Sequence, residues 1–70
     1  MIVEYHVYAD TVGAVHEGNR TMLHNARRLA ASLRRAGFGT CIRSAHAEGD
    51  RSWTELVEAH EADGHQVYPQ

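Results

Sequence analysis

The chain reads as one small α/β or α+β domain with the order β-α-β-α(-β). In that reading helices cover one or both faces of a two- to three-stranded sheet, and oligomerisation completes the sandwich. Three observations predict it: an alternating apolar opening, a helical period in the middle, and a length of 70 residues that fits a single domain over 1–70. A chain this short buries only about 60% of its unfolded surface. Its single cysteine, Cys41, can close no internal loop. Self-association is the expected source of the missing burial.

The first strand is "IVEYHVYAD". Val3, Tyr5, Val7 and Ala9 fall on one face for the core, and Ile2, Glu4, His6 and Tyr8 on the other. Next comes "GAVHEGNRT", in which Gly13 and Gly18 have the spacing of the phosphate loop GxxxxGK[ST], and over these nine residues the chain looks like the P-loop family. Asn19 occupies the lysine slot and Glu17 puts negative charge where phosphate would lie, so the stretch reads as a connection that starts a helix and not as a nucleotide-hydrolysing site. The unpaired N–H groups of that helix start make Gly18, Asn19, Arg20 and Thr21 candidates for holding a single phosphate or carboxylate.

From Arg20 to Ala36 the period becomes helical, with Met22, Leu23, Ala26, Leu29, Ala30, Leu33 and Ala36 forming the apolar side. Asn19 is the expected N-cap. Gly37 is the expected left-handed residue after the helix, with Phe38 folding back toward Leu33. Residues 38–46 read as a second strand and "AEGD" as a polar turn. Ser52-Trp-Thr-Glu55 has the form of a capping box, which predicts a second helix from Trp53 to Ala62 with Trp53, Leu56, Val57 and His60 inward. Gly64 ends it, and "HQVYPQ" supplies an optional last strand. A strand, a helix and a strand in succession predict a right-handed parallel crossover.

Composition bounds the function. With 43% apolar and 23% charged residues the chain reads as globular, and no apolar run approaches the span of a bilayer. The opening residues carry no basic leader, so a cytoplasmic protein without membrane contact is expected. Charge is segregated: residues 18–45 hold six arginines and no acid, whereas 46–70 hold six acids against Arg51. On the helix, Arg20, Arg27 and Arg34 form one stripe and His24, Arg28 and Arg35 the next. Arginine forks pair with carboxylates and phosphates, so this face suits an acidic protein partner, a second copy of the chain, or nucleic acid.

Two further constellations carry chemistry. If the strands run parallel, their C-terminal ends gather Asp10, His46, Glu48 and Asp50, the makings of a magnesium or manganese seat for a phosphoesterase. An aspartate closing the first strand, then a helix, "GF" and a strand, is also faintly similar to the small ferredoxin-like CRISPR-associated nucleases. That resemblance implies Asp10 as a metal ligand and a βαββαβ fold. His6, His60 and Cys41 read as structural. The expected function is a small non-catalytic interaction module that needs no cofactor, acting through the arginine face. Nucleic-acid binding and the metal phosphoesterase are the alternatives.

Overall fold

Two antiparallel hairpins flank one helix. β1 (Ile2–Asp10) pairs with β2 (Ala14–Arg20), α1 (Leu23–Arg35) follows, and β3 (Gly39–Glu48) pairs with β4 (Arg51–His60). The computed structural model describes residues 1–10, 14–20 and 22–63, with the backbone alone for 10 and 14–20. β1 also pairs with β3, so the sheet order is β2-β1-β3-β4 and every neighbouring pair is antiparallel. The mixed α+β class therefore stands. The β-α-β-α order is replaced, among the described residues, by β-β-α-β-β.

Each departure has a local cause. "AVHEGNR" looks like a connection because Gly18, Asn19 and Glu17 are poor strand formers, yet it pairs along β1, with Val7 opposite Gly18 and His6 opposite Asn19. Pairing to a neighbour outweighs weak β-propensity. The expected parallel crossover from the first strand to residues 38–46 does not form, because those strands, β1 and β3, pair antiparallel. β2 and β3 each run antiparallel to β1, so α1 links two strands of the same direction with β1 lying between them. The expected second helix is a strand. "RSWTELVEAH" fits both periods, and the two-residue turn Gly49-Asp50 decides by folding it back on β3 in register from Glu48–Arg51 to Thr40–His60. Gly49 has a φ of +63° and Asp50 is not in the positive-φ region, the pattern of a type II′ hairpin turn. The supposed capping-box serine, Ser52, instead pairs with Ala47. The suggested last strand and Gly64 lie outside the described residues.

α1 begins later than expected, with Met22 and not Asn19 as its N-cap. Its other end follows the sequence reading. Gly37 takes a φ of +106°, its N–H donates to the Arg34 carbonyl at 3.1 Å, and the Phe38 N–H donates to the Leu33 carbonyl at 3.0 Å. These two bonds form a Schellman motif and satisfy carbonyls that the helix leaves unpaired.

α1 lies on one face of the sheet. Ala26 and Ala30 are fully buried against the cross-strand pair Val7 and Ile42, and Tyr5, Leu23, Leu29, Leu33 and Val57 pack around them. Two alanines, with nothing beyond Cβ, let the helix backbone come close to the strands. The register slips between Ile42 and Arg43, leaving Val57 as an extra residue in β4. A bulge of this kind turns two successive side chains toward one face. Val57 joins the core while Glu58 reaches α1.

Ala30→Leu overfills this contact and is expected to cost about 1–3 kcal/mol in urea unfolding. Gly49→Ala keeps clear space around its Cβ, so its expected loss of about 1–2 kcal/mol comes from backbone conformation alone. An unchanged midpoint for Gly49→Ala would show that the turn relaxes to another type.

Candidate functional site

The arginine face divides in two. Arg27 donates from Nε to Glu58 Oε1 at 2.6 Å, so β4 neutralises it. Arg34 donates to the buried Thr40 hydroxyl at 3.3 Å and lies 4.0 Å from the Asp63 carboxylate. Both belong to the stripe nearer β4, and both act inside the molecule. The next stripe remains outward. His24, Arg28 and Arg35 are exposed and make no hydrogen bond or ion pair with the described residues. Arg28 and Arg35 stand seven residues apart, about 10 Å along the helix and on the same side of it. They border a shallow groove of about 510 Å³ with Asn25, Leu29, Ala31 and Ser32. Arg20 is part of β2, opposite Tyr5, and not part of the helix.

The proposed anion seat at the helix start is not assembled. Gly18 and Asn19 are spent in the ladder with β1, and α1 opens at Leu23; Gly13 and Thr21 lie outside the described residues. The proposed metal seat also comes apart, because the strands are antiparallel. Asp10 is opposite Gly39, at the far end of β3 from His46, about 23 Å away at strand rise. Among the described residues no three His, Cys, Asp or Glu side chains converge as a metal site. The β-β-α-β-β order likewise differs from the βαββαβ expected of the CRISPR-associated nucleases.

A cluster that the sequence did not announce lies on the second hairpin. His46 stacks on its cross-strand partner Trp53, with centroids 5.3 Å apart and 8° between planes, and the Arg51 guanidinium sits 5.2 Å from the Trp53 ring centre. Trp53 Nε1–H donates to Glu55 Oε2 at 2.8 Å. His46 Nε2 lies 2.7 Å from Ser44 Oγ and 3.8 Å from Glu55 Oε2. Serine, histidine and glutamate together suggest a nucleophilic relay, but the geometry is different. A relay needs the hydroxyl and the carboxylate on opposite imidazole nitrogens, whereas here both face Nε2, and Ser44 is only 4% exposed. The cluster is a set of cross-strand pairs that stiffens the hairpin. The signal for it was the alternation Ser44/His46 and Trp53/Glu55 on either side of a Gly-Asp turn.

The opposite face of the sheet carries Glu4, His6, Tyr8, Cys41, Arg43 and Leu56, with His6 Nε2 2.7 Å from Glu4 Oε2. No described element packs over it. Cys41 is a free, half-buried thiol. Among the described residues no helix is long and apolar enough to cross a membrane. No protein-family model matches the chain, and neither a curated protein nor a solved structure matches it significantly.

Among the described residues, Glu58 carries the one resolved shift of acidity. The hydrogen bond from Arg27, then that from His60 at 2.8 Å, holds its carboxyl below the ordinary value of 4.5. A lowered folded-state pKa stabilises the fold above the unfolded value, and that contribution disappears as pH falls through the folded one. Glu58→Gln is therefore expected to be less stable than wild type at neutral pH and to approach it once pH drops well below 4.5. Urea unfolding at both pH values checks this, and a constant gap would mean that Arg27 and His60 do not favour the carboxylate.

Proposed function

We propose that this protein is a small non-catalytic binding module whose partner is an acidic protein segment, held along the His24–Arg28–Arg35 side of α1. The observation that supports the reading most directly is the division of the arginines. Arg27 and Arg34 are satisfied within the fold, whereas Arg28 and Arg35 are exposed at a groove with no carboxylate of the described residues beside them. Guanidinium groups prefer planar, two-point contact with carboxylates. Their spacing of about 10 Å equals that of two carboxylates seven residues apart on a partner helix. Asn25 and Ser32 add neutral polar groups to the same groove, and Leu29 an apolar floor. An overall charge of −2 and the absence of an aromatic side chain in the groove favour a protein over nucleic acid.

The test uses a labelled helical peptide with glutamates seven residues apart and a single-stranded oligonucleotide of similar length. Fluorescence anisotropy at low salt is expected to show binding of the peptide. Arg28→Glu with Arg35→Glu should weaken it by at least roughly tenfold, about 1.4 kcal/mol, while circular dichroism stays unchanged. Tighter binding of the oligonucleotide, with affinity falling steeply as salt rises, would replace this reading with nucleic-acid binding.

A further inference from the structure

On the side of the sheet away from α1, three strands build a shallow crevice. Tyr8, Cys41 and Ala59 stand in one cross-strand row, on β1, β3 and β4. Gly39 beside that row has no side chain and Ala59 has only a methyl, so the surface is low there, and Glu61 just beyond β4 lines the far side. The backbone of Thr40 and His60 completes the lining, while their side chains serve the other face. Thr40 accepts from Arg34, and His60 is held 2.8 Å from Glu58. The crevice measures about 410 Å³, within the roughly 300–1,000 Å³ of small-ligand sites.

The lining selects a chemistry. The Tyr8 ring, the Cys41 sulfur and the Ala59 methyl offer apolar, polarisable surface that favours a flat aromatic group. Glu61 is exposed and makes no hydrogen bond or ion pair with the described residues. The basic side chains of this face are directed elsewhere. Arg43, two residues from Cys41, donates to Thr54 at 2.9 Å, and His6, two residues from Tyr8, lies 2.7 Å from Glu4. β1 and the end of β4 stand on either side of β3, so Tyr8 and Glu61 are about 10 Å apart at the spacing of strands. An aromatic wall and an uncompensated carboxylate thus face each other across a distance that a ring with a short charged chain spans.

We propose that this crevice is a second binding site, for a small arylalkyl ammonium ion. The aromatic ring lies against Tyr8 and Cys41, and the positive amine on its short chain is directed to Glu61. The site is on the opposite face of the sheet from the Arg28–Arg35 groove, takes the opposite charge, and does not depend on it.

Cys41 is the single cysteine of the chain, so its alkylation reports whether the crevice is filled. Mass spectrometry of the full chain follows the addition of iodoacetamide, an uncharged reagent, over a concentration series of phenethylamine. Amine at about twice its dissociation constant is expected to slow the addition about threefold. Neutral 2-phenylethanol, of the same size, should require a higher concentration. Glu61→Gln should weaken the amine by about two- to fivefold, the range of an exposed ion pair, and leave the alcohol unchanged. Ala59→Leu fills the floor and should remove protection by both. Both positions are exposed, and circular dichroism checks the fold of each variant. Absence of protection by the amine, or equal affinity for amine and alcohol, would overturn the proposal. Arg28→Glu with Arg35→Glu should leave Cys41 protection unchanged, so each site can fail without the other.

Discussion

The closeness of one helix to one pair of strands sets the rest of the structure. Ala26 and Ala30 have no bulk to hold α1 away from Val7 and Ile42, so the helix backbone lies near the sheet. At that distance a long arginine on the β4 side reaches over the sheet. Arg27 meets Glu58 and Arg34 meets Thr40, and each contact fixes the rotation of α1 about its own axis. Once the rotation is fixed, the side chains one stripe away point outward. The same contact that forms the core thus determines which arginines are paired within the fold and which stay outward.

The β4 bulge belongs to this arrangement. Without the extra residue, Val57 and Glu58 would point to opposite faces of the sheet, as successive strand residues do. With it, one fills the core and the other pairs with Arg27. Beyond the reach of the helix the same face is covered differently, by the flat stack of His46 on Trp53. The buried hydroxyls Thr40 and Ser44 are both supplied with partners, one from the helix and one from this stack.

The sequence made some of this legible. Alternation in β1, the apolar stripe of α1 and the glycine that ends it are strong local signals. The structure carries them for Tyr5, Val7 and Ala9, for Leu23 to Leu33 and for Gly37. Val3, expected inward, is instead 52% exposed at a register slip between Ile2 and Glu4 that puts Ile2 on the core side. Met22 and Ala36 are exposed at the ends of the stripe. β2 was obscured because Gly18 and Asn19 have poor strand propensity, and their pairing depends on β1 alone. β4 was obscured for the opposite reason. Trp53, Leu56, Val57 and His60 satisfy a helical period, and the bulge at Val57 breaks the strict alternation that would have marked a strand. Once those two strands were missed, the parallel arrangement followed, and with it the gathering of Asp10 with His46. The candidate arginines were legible as a face, but their division was not, because only the position of Glu58 on a neighbouring strand separates Arg27 from Arg28.

The central place of β1 has a consequence for the growing chain. The opening residues of the sequence lie in the middle of the sheet, with β2 on one side and β3 on the other. A nascent chain that has emerged only as far as α1 has one hairpin and a helix, but the Ile42 side of the core does not yet exist. Val7 must keep an open flank until β3 leaves the ribosome. The sheet is therefore completed only when the second hairpin closes along β1, after β1, β2 and α1 have all been made.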